Sequence, residues 1–268
     1  MTWHAAGVGI AGAASFAVAG SLDALAGPLA PFLFGGAAAI AASAIGASVM
    51  PPEAPRRLVG AFSPAALLDF RPVFRTRAAM AWIVGYTVRT WELAALRAWA
   101  DTFLAATIAW HGGPAWLPGP TALFTVAGLV GIAVSVSGNE TAQRFGRARV
   151  VAWAMGVAAS LSLVTGGSGL ISAPLAAACV SLWNAAIYLD SSALTAGTVQ
   201  AAVEGQRGAT MGLHSMCGNA GGFLGPLGVG VALDLAGGGA LGWSLGFGRL
   251  AVVTLIGLIV LRRLGRPG

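Results

Sequence analysis

Lysine is absent from this 268-residue chain, and all 15 of its basic residues are arginine. That removes the phosphate-cradling lysine of a P-loop and the amine of a Schiff-base enzyme. Charge of either sign is scarce. Only 9% of the residues are charged and 57% are apolar, whereas a soluble domain carries about 25% charged residues. A soluble fold built from this composition could not cover its own surface, but a bilayer removes that need. Cysteine is nearly lacking too. Cys179 and Cys217 both sit inside apolar runs without metal-ligand spacing, which reads as two small buried side chains. No H-E-x-x-H, G-x-S-x-G or Cys/His cluster occurs. No catalytic residue, metal or cofactor is therefore expected, and the chain does not read as an enzyme.

What is present is a series of long apolar runs separated by short gaps. A helix needs about 20 apolar residues to cross the hydrocarbon core. Eight candidate runs extend roughly over Ala5–Ala26, Leu29–Val49, Ala78–Ala109, Thr121–Val136, Val150–Val164, Leu170–Ala202, Ala209–Leu235 and Leu241–Leu261. They are too continuous for barrel strands, which would alternate. The first run has no basic flank and a second follows directly, so it reads as a retained span rather than a signal peptide.

Every second gap holds arginine: Arg56, Arg57, Arg71, Arg75 and Arg77; then Arg144, Arg147 and Arg149; then Arg207; then Arg262, Arg263 and Arg266. The gaps between them hold none, which is the positive-inside pattern of a polytopic membrane protein. Both termini are then expected in the cytoplasm, with the protein in the inner membrane. The net charge of +6 points to anionic lipid headgroups rather than nucleic acid, because the arginines form no continuous basic face. The predicted fold is an all-α membrane bundle of about eight spans. Two spans fill residues 1–50, a proline- and arginine-rich cytoplasmic linker fills 51–77, and a six-helix domain fills 78–268.

Charges inside the spans are costly, about 2.5–3.5 kcal/mol each at mid-bilayer, and usually face a cavity or a partner. The third span carries Arg89 and Glu92, three apart and close enough to pair, and farther out Arg97 and Asp101, which read as an interfacial ion pair. The sixth span offers Trp183, Asn184, Tyr188 and Asp190. No basic residue lies near Asp190 in sequence. Isolated, it could take up and release a proton during a transport cycle; the alternatives are an ion pair with Arg89 across the bundle or a polar anchor near the inner surface. Asp23, Asp234 and Arg249 are expected to reach water or headgroups, and His214 and Asn219 to serve packing. In the seventh span, glycines four apart (Gly208/Gly212, Gly218/Gly222, Gly221/Gly225) predict close helix approach, and Pro226 predicts a bend. Gly237, Gly239 and Gly242 match G-x-G-x-x-G, but no strand precedes them, so a turn is expected and not a dinucleotide site.

The stretch Gly138-Asn139-Glu140-Thr141-Ala142-Gln143-Arg144-Phe145-Gly146-Arg147-Ala148-Arg149 lies between the fourth and fifth spans. Its R-F-G-R core resembles the loop motif of the major facilitator superfamily. The seventh span from Arg207 to Pro226 looks like the eleventh helix of bacterial members, and Gly85 to Leu93 looks like the seventh. The resemblance covers essentially the whole chain. It implies that the first two spans correspond to helices five and six, and the remaining six to a complete C-terminal half. It also implies a solute pathway lined by Arg89, Glu92, Trp183, Asn184, Tyr188 and Asp190, and a cytoplasmic gate at Gly138, Glu140, Arg144, Gly146 and Arg147. Two departures stand out. Gln143 replaces the acid that usually precedes the first arginine, and the family's first four helices have no counterpart. Rocking one half against the other needs both halves. The expectation is therefore a secondary transporter of a small solute in truncated form, with the missing half or a partner chain completing the cavity and with Asp190 or Glu92 as proton carrier. The alternative is a non-transporting module that packs against a partner membrane protein.

Overall fold

The computed structural model describes residues 2–49 and 69–264, without the side chains of residues 2–10, 12, 13 and 16. Most of the expected linker, with Arg56 and Arg57, lies outside the described residues, as does Arg266. Among the described residues there is no strand. The helices are α1 (Thr2–Ala26), α2 (Ala30–Val49), the five-residue α3 (Arg71–Arg75), α4 (Arg77–His111), α5 (Pro120–Phe145), α6 (Arg147–Ser168), α7 (Ala173–Ala201), α8 (Arg207–Ala236) and α9 (Ala240–Leu264). Six of these, α2 and α5 to α9, are long and apolar enough to cross a membrane. Their outer faces carry bare hydrophobic side chains such as Phe32, Phe223 and Ile256, the surface expected of a multi-pass membrane protein.

The third predicted span, α4, is not among those six because it carries charge along its length. Much of its surface is covered, since α7, α8 and α9 pack against it. Their registers follow from paired residues. Along α4 and α8, Thr90 reaches Gly218 and Trp99 reaches Pro226, so these two run parallel. Against α7 and α9 the order reverses: Arg89 meets Asp190 and Glu92 meets Trp183, while Gly85 faces Leu261 and Val88 faces Gly257. Neighbours in sequence therefore alternate in direction. The starts of α4, α6 and α8 fall at the same end of the bundle as the ends of α5, α7 and α9. All the described gap arginines gather there.

Between α4 and α8, small residues set the distance. A Cβ on Gly221 or Gly225 would strike the backbone carbonyl of Thr87 or Trp91, and one on Gly218 would strike the Tyr86 ring. The predicted glycine packing is thus realised at 218, 221 and 225. Gly208 has open space beside it, and Gly222 finds only Ala94 at 3.8 Å. Pro226 does not end α8, which runs on to Ala236.

The R-F-G-R segment is not a loop. Helix α5 continues through Arg144 to Phe145, and α6 starts at Arg147. Nothing from Asn139 to Phe145 opposes helix, so the chain turns only at Gly146, whose φ of 90° and ψ of 123° suit glycine alone. Gly146→Ala is expected to destabilise the protein by about 1–3 kcal/mol, read as an earlier thermal transition in detergent. An unchanged transition would mean that the turn can relax. Of the G-x-G-x-x-G match, Gly237 and Gly239 fall in the expected turn, Gly237 ending α8 in the left-handed region, while Gly242 is buried inside α9, which begins at Ala240.

Candidate functional site

Arg89 is the hub of the buried polar groups. Its guanidinium forks between two helices, with Nη1 donating to Glu92 Oε2 at 3.3 Å and Nη2 donating to Asp190 Oδ2 on α7. Glu92 is held from two further sides. Trp183 Nε1 donates to its Oε1 at 2.7 Å, and Thr254 Oγ1 on α9 donates to its Oε2 at 3.3 Å. All three charged side chains are at most 1% exposed. The group ties α4, α7 and α9 together at one level of the bundle. The i,i+3 spacing on α4 and the seven-residue spacing of Trp183 and Asp190 on α7 place each pair on one helical face.

Of the alternatives for Asp190, the cross-bundle pair with Arg89 is the one formed. The group remains imperfectly satisfied. Arg89 Nε and Asp190 Oδ1 are buried and find no hydrogen-bond partner. With both acids ionised, two formal negative charges face one positive. Such a cluster is expensive unless each charge is matched, so it is a place where a proton or a conformational change would have large electrostatic effect.

The other two predicted pathway residues of α7 bind elsewhere. Asn184 Nδ2 donates to the Ala127 carbonyl on α5 at 2.7 Å and is buried. Tyr188, half-buried, lies against Gly131 and accepts a hydrogen bond from Arg97 Nη2. Arg97 and Asp101 do not form the expected ion pair. Asp101 instead accepts from Thr121 Oγ1 at 3.1 Å, because α5 begins beside it and supplies the hydroxyl. Arg97 turns the other way, toward α7, with its guanidinium 5.8 Å from the Tyr188 ring centre.

Thr90, Leu93, Ala94, Arg97, Gly218 and Asn219 line a cleft of about 460 Å³ between α4 and α8. Asn219 is thus an exposed wall residue and not a packing one. His214 does pack: it stacks on Tyr86 at 3.7 Å between ring centres and shares a hydrogen bond of 3.1 Å with Thr198. The gate residues are spread along the arginine-rich end. Gly138 is buried against the Leu189 carbonyl, Glu140 and Arg144 are exposed, and Arg147 donates to Gln200 on α7. None of them is in an ion pair within 4.0 Å among the described residues.

No protein-family model matches this chain, and no curated protein matches it either. Its residues and geometry therefore carry the functional reading.

Three participants were not legible beforehand. Thr254 stands alone in an apolar run with nothing to mark it as a ligand of Glu92. Trp91 and Arg249 meet across the α4–α9 contact, the guanidinium 5.1 Å from the ring centre. Arg249 was expected to reach water or headgroups; it instead turns inward and donates to the Gly225 carbonyl at 3.2 Å. The open side of Gly228 makes room for it, a reason visible only once α8 and α9 are adjacent.

Proposed function

We propose that this chain is a secondary transporter of major-facilitator type, moving a small solute across the inner membrane with both termini in the cytoplasm. In this reading α4 to α9 form its C-terminal six-helix half, and α1 and α2 are the two preceding spans. The observation that carries the reading is the buried Arg89–Glu92–Asp190 group. An intramembrane cluster of ionisable residues linking three helices marks an ion or solute path by default. Its surplus carboxylate gives a place for one proton, whose arrival would loosen the Arg89 fork and free α4 from α7. The arginines collected at one end of the bundle agree with the proposed orientation, and the contact of α1 with α5 agrees with an extra pair of helices flanking a six-helix unit. Arg144, Gly146 and Arg147, at the turn between α5 and α6, would work as a gate at the cytoplasmic end.

A second reading has its own support. The α4–α8 face is open, and α2 buries no residue, so a partner membrane protein has surface to cover. Reconstitution separates the two. The transporter reading expects gradient-driven uptake by the purified chain in proteoliposomes, with a pH dependence that changes in Asp190→Asn. An unchanged pH dependence would remove Asp190 from the coupling scheme. No flux for any solute, together with stoichiometric copurification with another membrane protein, would establish the module reading instead.

A further inference from the structure

The cleft between α4 and α8 differs in kind from the buried cluster, because its charge is unmatched. Arg97 is the only charged residue lining it among the described residues. Among the described residues Arg97 has no carboxylate partner, and the Tyr188 hydroxyl is its only hydrogen-bond acceptor. No Arg97 nitrogen is among the buried atoms lacking a partner, so its remaining guanidinium N–H groups are not sealed in the protein, and the side chain lines the cleft. The i+4 acid that could have neutralised it, Asp101, is engaged by Thr121.

Depth makes this unusual. Helix α4 spans residues 77–111, so its midpoint falls at residue 94, three positions from Arg97. Asn219 on α8 and Tyr188 on α7 are likewise within a turn of their helix midpoints, since those helices span 207–236 and 173–201. At about 1.5 Å per residue, all three residues lie within about 5 Å of the middle of their helices, and Arg97 is not at the helix end that an interfacial pair would occupy. A lone arginine midway along a spanning helix is costly unless an anion or water meets it.

We propose that this cleft is the solute site and that it takes a small organic carboxylate, with Arg97 as the anchor. This rests on the transporter reading and names its solute class. The guanidinium offers a planar fork matched to a carboxylate. Tyr188 is a positioning residue, holding one Nη so that the rest of the fork faces the cleft. Asn219 makes no hydrogen bond to the described residues and is free to bind a second polar group of the solute. Leu93, Ala94, Ala98, Gly218 and Gly222 form an apolar wall for the carbon body, which bare phosphate would not use. The cleft volume falls within the range of small-molecule sites, about 300–1,000 Å³.

The test is equilibrium binding to the full chain in nanodiscs, using radiolabelled benzoate, hexanoate and succinate, with benzamide, hexanamide, succinamide and inorganic phosphate as competitors. At least one carboxylate is expected to bind saturably, with its amide and phosphate competing far less well. Arg97→Gln is expected to weaken that binding about tenfold or more, Arg97→Lys less, and Tyr188→Phe by a smaller factor without loss of carboxylate-over-amide preference. Ala98→Trp, which fills the cleft while leaving Arg97 in place, should also block binding, so the result does not depend on one variant folding. Equal binding of acid and amide, no binding of any carboxylate by the parent, or binding indifferent to both Arg97→Gln and Ala98→Trp would overturn the proposal. Counterflow of the bound carboxylate distinguishes the two layers. Arg97-dependent binding without counterflow leaves the anion site standing and removes transport; flux of a neutral solute without carboxylate binding does the reverse.

Discussion

Arg89→Leu is expected to cost the bundle about 3–5 kcal/mol, because it leaves two buried carboxylates without their cation. Glu92 and Asp190 are both fully buried, and neither has another basic group within ion-pair distance among the described residues. Glu92 would keep the hydrogen bonds from Trp183 and Thr254, whereas Asp190 would lose its only side-chain donor among the described residues. Arg89→Lys should recover only part of the loss, since an ammonium cannot hold the same two-pronged geometry between α4 and α7. The triple variant Arg89→Leu, Glu92→Gln, Asp190→Asn should recover more than the sum of single effects allows, because the three groups act as one unit. Thermal unfolding of each variant in the same detergent measures this. A single variant as stable as the parent would mean that the cluster is not held together by its charges.

Gly225→Val is expected to be nearly as damaging, through sterics alone. The position touches the Trp91 carbonyl so closely that any side chain needs α4 and α8 to separate. Separation would break the hydrogen bonds from Thr90 to the Gly218 carbonyl and from Trp99 to the Pro226 carbonyl. Overpacking of this kind costs about 1–3 kcal/mol or more, and Gly221→Val should behave alike. Gly222→Ala and Gly208→Ala are the controls. They share the same helix and the same loss of glycine but have room for a methyl group, so they should express and melt like the parent. If all four variants behaved identically, backbone flexibility and not close approach would explain the glycines.

Much of this was legible in order along the chain. Arginine alternation predicted that charged gaps would collect at one end, and the registers of α4 with α7, α8 and α9 place them there. The glycine spacing predicted close contact, and three of the six glycines make it. Misreadings came where neighbours in space decide the outcome. Asp190 has no basic neighbour in sequence, and which of its open alternatives forms, the pair with Arg89 101 positions away, is visible only in the structure. Arg97 and Asp101 have ideal helical spacing for a pair, yet Thr121 and Tyr188 each offered a partner on another helix. The R-F-G-R segment resembles a loop motif, yet a polar stretch at a membrane surface is equally compatible with a helix that extends past the lipid, and α5 continues as helix to Phe145.

Composition and spacing alone determined that this chain is helical and lies in a membrane, because a bilayer demands internally satisfied backbones and tolerates charge only at run ends or in protected places. They also singled out α4 and α7 as the helices with ionisable interiors. Only the tertiary structure decided which of those charges are matched. Pairing depends on distances between helices far apart in sequence, and through those distances Arg89 became locked between two acids while Arg97 was left facing an open cleft.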